Sequence, residues 1–126
     1  MKLKNDFYTI RETQNTDKGA NFVVHLNADH FIYAAHFPGN PITPGVCLAQ
    51  IVKELTEELV QVPLFLKVVK NIKFMQIINP LLHDEVTFAL SVQQESEGGY
   101  KVSANIESGS ETFSKMSLQF LKQDDQ

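Results

Sequence analysis

The sequence predicts an α+β domain in which an antiparallel sheet wraps one long helix. Six stretches are rich in β-branched and aromatic residues, and one longer stretch has helical spacing. Their order, two strands, the helix and then four strands, is typical of this fold class. With 126 residues the chain has the length of one domain with its own core, so we expect a single domain over residues 1–126.

Two strands are predicted before the helix. Residues 7–13 and 20–26 carry frequent β-branched and aromatic side chains, and the polar residues 14–19 between them indicate a turn. Residues 31–35 then form a short apolar run that ends at a stretch rich in proline and glycine. That stretch separates the first pair of strands from the helix.

The predicted long helix covers residues 45–60. Thr43 is its expected cap, and Pro44 its expected first residue, because proline lacks the N–H that would be unpaired there. At the far end Glu57 and Glu58 oppose the helix dipole, so we expect other contacts to hold that end. One apolar stripe runs along the helix and consists of Ala49, Val52, Leu55 and Leu59.

Four further strands are predicted after Pro63. They cover residues 64–78, 85–92, 100–106 and 112–121. In the last of them the alternation of apolar and polar residues slips by one near Lys115.

The composition argues against several classes of protein. Hydrophobic residues make up 43% and charged residues 21%, as in a soluble globular protein, and no apolar run approaches the ~20 residues of a membrane span. A net charge of -4 argues against a nucleic-acid binder. The first residues lack the pattern of a secretory signal, so we expect a cytoplasmic location.

The single cysteine and three of the histidines give no sign of a metal site. Cys47 alone allows no internal disulfide, and its apolar neighbours predict a small buried residue rather than a nucleophile. His25, His30 and His83 lack the spacing of metal ligands. We therefore predict no metal and no cofactor.

The fourth histidine opens an unusual segment, HFPGNPITPGV at residues 36–46. Its prolines fix φ at three points, and its glycines allow conformations or close approaches that a side chain would block. Such a stiff bend can hold an imidazole at a set distance from the N-terminus of the next helix. The alternative is a structural connection in which the histidine only packs.

The same segment resembles the HFPGxPxxPGV signature of the hot-dog-fold 3-hydroxyacyl-acyl-carrier-protein dehydratases of fatty acid synthesis. All eight fixed residues of the signature are present. A weaker similarity to that family follows over residues 72–84. The resemblance implies a hot-dog fold and a dimer with two sites at the interface. Higher homo-oligomers and a heterodimer are further options.

The resemblance also implies roles for residues of the signature. His36 would be the base that removes the C2 proton of an acyl thioester, and the N–H groups of Gly45 and Val46 would hold the thioester oxygen. The substrate would be carried by an acyl carrier protein or coenzyme A. Four further residues of the signature would contact it: Phe37, Pro38, Gly39 and Pro44.

The chain departs from this family on the helix. The dehydratases have Glu or Asp fourteen positions after the histidine, facing the histidine of the other subunit, and this chain has Gln50. An amide cannot deliver a proton as a carboxylic acid does. Glu54 stands where the family usually has Gln, so it is a candidate for a catalytic role, with a solvent-facing or salt-bridged residue as the alternative.

Three functions fit these residues. The first is a dehydratase that forms a trans-2-enoyl thioester, with His36 as base and Gln50 or Glu54 in a supporting role. The second is a non-catalytic acyl-binding subunit of a heteromeric dehydratase. The third is a hot-dog thioesterase, although thioesterases usually lack this signature. Acyl chain length, carrier and pathway stay open.

Overall fold

The computed structural model describes residues 1–36 and 39–123 of the chain. In this part, six strands form one sheet: β1 (Tyr8–Asn15), β2 (Gly19–Leu26), β3 (Leu64–Phe74), β4 (Glu85–Gln94), β5 (Gly99–Ser108) and β6 (Glu111–Lys122). Two α-helices, α1 (Phe31–Ala35) and α2 (Gly45–Val60), lie between β2 and β3. A single 3-10 turn, Ser96–Gly98, precedes β5. The predicted α+β fold is confirmed.

The sheet is antiparallel throughout, in the order β1-β2-β4-β5-β6-β3. Strands β1 and β3 therefore form its two edges. The exposed residues of β1 are polar, whereas β3 exposes Phe65, Leu66 and Val69, each more than two fifths accessible. Three lysines are exposed on the same strand. Exposed apolar residues on an unpaired edge strand are a surface on which another chain can add.

Helix α2 supplies one side of the hydrophobic core and contacts β2, β3 and β4. Val52 and Leu55 of the predicted stripe are fully buried, while Ala49 and Leu59 are partly buried beside the core. Each large apolar side chain removed from water contributes ~1.5–3 kcal/mol. On the sheet side the largest fully buried rings are those of Tyr8, Phe22, Phe88, Phe113 and Phe120.

Helix α2 has the predicted bounds, but its N-cap differs from the expected one. The helix begins at Gly45, Pro44 occupies the N-cap position, and no side chain caps the helix. Thr43 cannot cap because it is buried and its hydroxyl is hydrogen-bonded to the hydroxyl of Tyr33 at 2.9 Å. The helix therefore starts without a side-chain cap.

Other contacts hold the acidic end of α2, as predicted. The Glu57 carboxylate accepts a hydrogen bond from the Leu64 N–H at 2.8 Å, and Glu58 pairs with the ammonium of Lys4. Gln61 closes the helix in the left-handed conformation, with φ 60°. These contacts offset the unfavourable dipole interaction.

The short apolar run of residues 31–35 forms the helix α1. One predicted strand bound needs correction. Strand β3 ends at Phe74 rather than at residue 78, because the N–H groups of Met75 and Gln76 both donate to the Phe113 carbonyl. Residues 75–78 thereby leave the ladder, and the Ile78 carbonyl accepts from the Thr43 N–H at 2.9 Å. This brings the end of β3 against the start of α2.

Candidate active site

Two hydrogen bonds of Thr43 hold the segment between α1 and α2. The Tyr33 hydroxyl of α1 meets the Thr43 hydroxyl, and the Thr43 N–H donates to Ile78. Tyr33 also stacks on the buried ring of Phe7, with 5.1 Å between ring centroids. Burial raises the pKa of Tyr33 to about 12, although its hydrogen bond to Thr43 acts in the opposite direction. The phenol therefore stays a neutral hydrogen-bonding group at physiological pH.

Two glycines have the roles that the sequence predicts, one for its conformation and one for a close approach. Gly39 has φ +80°, a left-handed conformation that other residues adopt only with strain. At Gly45 a Cβ atom would lie 2.6 Å from Cζ of Phe74. The Phe74 ring therefore occupies the space beside the helix start in which a side chain of residue 45 would lie. Phe37 and Pro38, predicted to contact substrate, lie outside the described residues.

The N-terminus of α2 has free backbone donors. The N–H groups of Cys47 and Leu48 donate to the Pro44 carbonyl, whereas those of Gly45 and Val46 have no acceptor among residues 1–36 and 39–123. Val46 is exposed. Unpaired N–H groups at the positive end of a helix dipole bind anionic or carbonyl oxygens.

A cleft of about 480 Å³ lies beside these donors. Its walls are mostly apolar, and residues 42–45 of the proline- and glycine-rich segment contribute to them. The lining combines the residues before and at the helix start with the segment that leaves β3: Ile42, Thr43, Pro44, Gly45, Leu48, Phe74, Met75, Gln76, Ile77 and Ile78. Such a surface suits an apolar ligand group.

His36 is exposed at the end of α1. Its backbone N–H donates to the Ile32 carbonyl at 2.9 Å, which fixes the main chain but leaves the imidazole at the surface. The ring is thus not packed in the core. It is also absent from the described lining of the cleft, and no described hydrogen bond joins it to Gln50 or Glu54 of the same chain.

Gln50 and Glu54 lie together on α2 and bind the first residues of the chain. The Gln50 amide nitrogen donates to Glu54 Oε2 at 2.7 Å and to the Met1 carbonyl at 2.8 Å. The Glu54 carboxylate also accepts from the backbone N–H groups of Leu3 and Lys4, each at 2.8 Å, and from the Tyr8 hydroxyl at 3.1 Å. Glu54 is 6% exposed, so the solvent-facing alternative is wrong.

Two other polar groups in this region are buried and neutral. Burial, followed by the negative charge of Glu54, raises the pKa of the Tyr8 hydroxyl, so it stays a hydrogen-bond donor. Cys47 is 2% exposed, which confirms the predicted small buried residue, and burial raises the pKa of its thiol. A thiol in this state is a poor nucleophile.

The three remaining histidines have structural contacts. His30 caps α1 by accepting the Ile32 N–H at Nδ1, and its Nε2 lies 3.1 Å from the Asp6 carboxylate. His25 approaches Asp84, and His83 packs edge-on against Phe113. Within the described ranges, no three His, Cys, Asp or Glu side chains are grouped as metal ligands would be.

The sequence matches a known family over most of its length. A family model described as ApeI-like, ApeI dehydratase, matches residues 11–117, which include the whole proline- and glycine-rich segment and α2. The chain belongs to the ApeI-like dehydratase family. This match supports the predicted resemblance to dehydratases, but it does not specify the dehydratases of fatty acid synthesis. Among proteins of curated function, none matches the ApeI-like chain.

Solved structures confirm the hot-dog fold of the ApeI-like chain. It is similar to the dehydratase heterocomplex ApeI:P from Xenorhabdus doucetiae, with 17% identity and a TM-score of 0.66 over 90% of this chain and 96% of that chain. An uncharacterized protein from Erwinia carotovora subsp. atroseptica gives 23% identity and a TM-score of 0.61, covering 89% and 91%. A protein of the thioesterase superfamily gives 11% and 0.65, covering 92% and 84%. At these identities the similarity shows the fold alone.

Several site features of the ApeI-like chain were beyond sequence reasoning. Tyr33, Tyr8 and the first four residues belong to no motif, and their contacts to Thr43, Gln50 and Glu54 arise only in the folded chain. Phe74 is exposed, and the sequence places it on a strand without indicating its contact with the start of α2.

No helix within residues 1–36 and 39–123 is long and apolar enough to span a membrane.

Proposed function

We propose that this ApeI-like chain is a dehydratase that removes water from a 3-hydroxyacyl thioester and forms a trans-2-enoyl thioester. The observation that carries the proposal is the apolar cleft of about 480 Å³ beside the unpaired N–H groups of Gly45 and Val46. A thioester oxygen held there gains the stabilisation that its negative charge needs when the C2 proton leaves. The carrier is an acyl carrier protein or coenzyme A.

His36 is the base in this proposal. Its exposed imidazole removes the C2 proton, the C3–O bond breaks, and the leaving hydroxyl takes up a proton and departs as water. Neither Gln50, an amide, nor Glu54, which four hydrogen bonds surround, is free to supply that proton. The imidazolium of His36 formed in the first step is the remaining source in this chain. The proton taken from C2 then leaves in the water.

The proposal includes a second hot-dog subunit. The exposed apolar edge of β3 supports pairing, and in the pair His36 of one subunit would face Gln50 of the other. The similar ApeI:P structure is a dehydratase heterocomplex. A homodimer is the simpler assembly. We also propose that the protein is cytoplasmic and that it acts in fatty acid or related acyl-chain synthesis.

A second candidate function follows from the missing acid. Because neither Gln50 nor Glu54 offers a carboxylic acid to a ligand, this chain would bind the acyl group while a different subunit supplies the acid. In that case the purified chain binds acyl thioesters without turning them over, and activity appears only with the partner.

The test offers 3-hydroxyacyl and saturated acyl thioesters, on coenzyme A and on an acyl carrier protein, and follows enoyl product and free thiol. A dehydratase forms enoyl product, His36→Ala lowers the rate by ~10²- to 10⁴-fold, and Gln50→Glu raises it. The matched control is His25→Ala, on β2, which should retain wild-type activity. Thiol release without enoyl product would instead identify a thioesterase, and binding without either product the non-catalytic subunit.

A further inference from the structure

The tip of the Phe74 ring lies against the start of α2. If Gly45 carried a Cβ atom, that atom would lie 2.6 Å from Cζ and 3.0 Å from Cε1 of the ring. Gly45 also carries one of the two N–H groups at the helix start that have no acceptor within the described residues, and it lines the cleft together with Phe74. The ring tip is therefore next to the position at which a thioester oxygen would bind.

The main chain on both sides of Phe74 is bonded to β6. Before it, the Lys73 carbonyl accepts a hydrogen bond from the Ser114 hydroxyl at 2.9 Å. After it, the next two backbone N–H groups both donate to the Phe113 carbonyl. The Phe74 ring can therefore move only by turning about its own side-chain bonds.

The two walls of the cleft are also bonded to each other. The N–H of Thr43, two residues before the helix, donates to the Ile78 carbonyl at 2.9 Å. Widening the cleft here by a backbone movement would break this hydrogen bond. Turning the Phe74 ring costs less, because the ring is 58% exposed and has free space to move into. The position of the ring thus sets the width of the cleft at the helix start.

We propose that Phe74 determines which acyl thioesters the cleft accepts, because its ring excludes substituents on C2, the carbon next to the thioester carbonyl. The inference rests on the proposed function, in which the N–H groups of Gly45 and Val46 hold that carbonyl. The gap between the ring and the helix start is too narrow even for the methyl of an alanine at residue 45. The substrates would therefore be 3-hydroxyacyl thioesters that are unbranched at C2.

This role predicts a preference that a purely structural ring would not produce. A 2-methyl group has to displace the Phe74 ring from its rotamer, which corresponds to roughly 2- to 10-fold in affinity. Loss of packing alone would weaken branched and unbranched ligands equally. The ratio of their dissociation constants would then be unchanged.

The binding experiment measures that ratio with hexanoyl and 2-methylhexanoyl thioesters, each on coenzyme A and on an acyl carrier protein, and takes the two C2 epimers separately. Wild type should bind hexanoyl roughly 2- to 10-fold more tightly than at least one epimer. Phe74→Leu lacks the ring atoms that reach Gly45, so it should bring this ratio to about one. Phe65→Leu, the same change at the other end of β3, should keep the wild-type ratio.

A further ligand and a further variant complete the design. The 5-methylhexanoyl thioester carries the same added methyl at the far end of the chain, so its affinity relative to hexanoyl should be equal in wild type and in Phe74→Leu. Phe74→Ala also removes the ring atoms, covers the case in which Phe74→Leu does not fold, and should give the same loss of preference.

The outcomes separate the inference from the proposed function. Equal affinity of wild type for hexanoyl and both epimers, or a preference that neither Phe74 variant changes, overturns the inference. Enoyl product from a 3-hydroxyhexanoyl thioester would still leave the dehydratase proposal standing. The expected ratios without enoyl product would support the inference in a non-catalytic acyl-binding subunit. A wild-type protein that binds none of these thioesters on either carrier overturns both.

Discussion

At the scale of single residues, Gln50→Glu would place a second carboxylate about where the Gln50 amide now lies, 2.7 Å from Glu54. Two carboxylates at that distance cannot both ionise without repulsion, so the pKa of one of them rises above its unfolded value of about 4.3. In acid the pair is protonated and the repulsion is absent. As pH rises, the unfolded state releases this proton more easily than the folded state, so stability is lost until pH passes the folded pKa. Relative to wild type, we expect the variant to lose about 1–3 kcal/mol of unfolding free energy between about pH 4 and pH 8.

Urea denaturation across that pH range measures the loss. The control is Gln50→Glu combined with Glu54→Gln, which leaves one carboxylate in the pair and should remove most of the pH dependence, although the Leu3 N–H then loses its acceptor. Equal pH dependence in the single and double variants would contradict the argument. The same proton shared between two carboxyl groups at neutral pH is what the single variant would need to act as a general acid.

How far the sequence reveals this site depends on the separation of the residues along the chain. One short segment contains His36, Gly39 and Gly45, so their spacing and their backbone requirements can be predicted from the local sequence. Glu54 receives its donors from residues 51, 50 and 46 positions away. No local pattern encodes those contacts, and they redirect Glu54 from solvent to the interior.

At the scale of elements, the hydroxyl pair of Tyr33 and Thr43 joins α1 to the start of α2. Because the pKa of Tyr33 is raised from 10.0 to about 12, its contribution to stability is complete below pH 10 and is lost as pH rises from 10 to 12. Tyr33→Phe should cost about 1 kcal/mol at neutral pH, since Thr43 loses its partner. The stability curves of variant and wild type should then converge above pH 10.

Urea denaturation at neutral and alkaline pH, with phenolate absorbance as the readout of ionisation, checks this expectation. Thr43→Val is the matched control, because it removes the same hydrogen bond but keeps the titrating phenol, and should show the alkaline decline that Tyr33→Phe lacks. Parallel curves for wild type and Tyr33→Phe at all pH values would show that Tyr33 does not resist ionisation.

The contact between α2 and the end of β3 depends on Gly45. In Gly45→Ala the new methyl would meet the Phe74 ring at 2.6 Å, and this exposed ring can turn away at a cost of about 0.5–1.5 kcal/mol. Alanine also favours the helix by up to about 1 kcal/mol, so the net change should be near zero. The contact should instead appear as a coupling of about 0.5–1 kcal/mol between Gly45→Ala and Phe74→Leu.

A double-mutant cycle in urea measures that coupling. Phe65→Leu, on the other end of β3, is the control and should combine additively with Gly45→Ala. Additive behaviour of the Phe74 pair would mean that the ring does not press on the helix start.

The elements show where sequence patterns are reliable. Helix α2 has the predicted bounds because its apolar stripe and its glycine start act locally, while Thr43 fails as a cap because a partner ten residues away takes its hydroxyl. The slip predicted near Lys115 is confirmed: the β5–β6 register shifts where Ile106 faces Ser114 and Glu107 faces Thr112, so Phe113 is the extra residue. The end of β3 was not predictable, because two N–H groups there share one carbonyl of β6.

At the scale of the whole molecule, the two edge strands of the sheet differ in the polarity of their exposed residues. The exposed part of β1 is polar, as expected of an edge that stays in water. The longer edge strand β3 exposes Phe65, Leu66 and Val69 among three exposed lysines, and Phe74 and Ile77 are exposed where the strand ends beside the cleft. A second subunit on this edge would cover the apolar residues and close the cleft, which joins assembly to the proposed site.

We therefore expect the chain to form a dimer through β3 and expect Val69→Asp to break it. A carboxylate at this position would be buried unpaired in the interface, at a cost of several kcal/mol, but would lie in solvent in the separated subunit. Analytical ultracentrifugation should show the mass fall by half while circular dichroism stays unchanged. Enoyl formation should fall as well, because the proposed site combines His36 of one subunit with Gln50 of the other. Thr13→Asp, an exposed position on the opposite edge strand β1, should stay dimeric and active. A Val69→Asp protein that remains dimeric would show that the subunits meet elsewhere, and a monomeric, fully active variant would show that the site is complete within one chain.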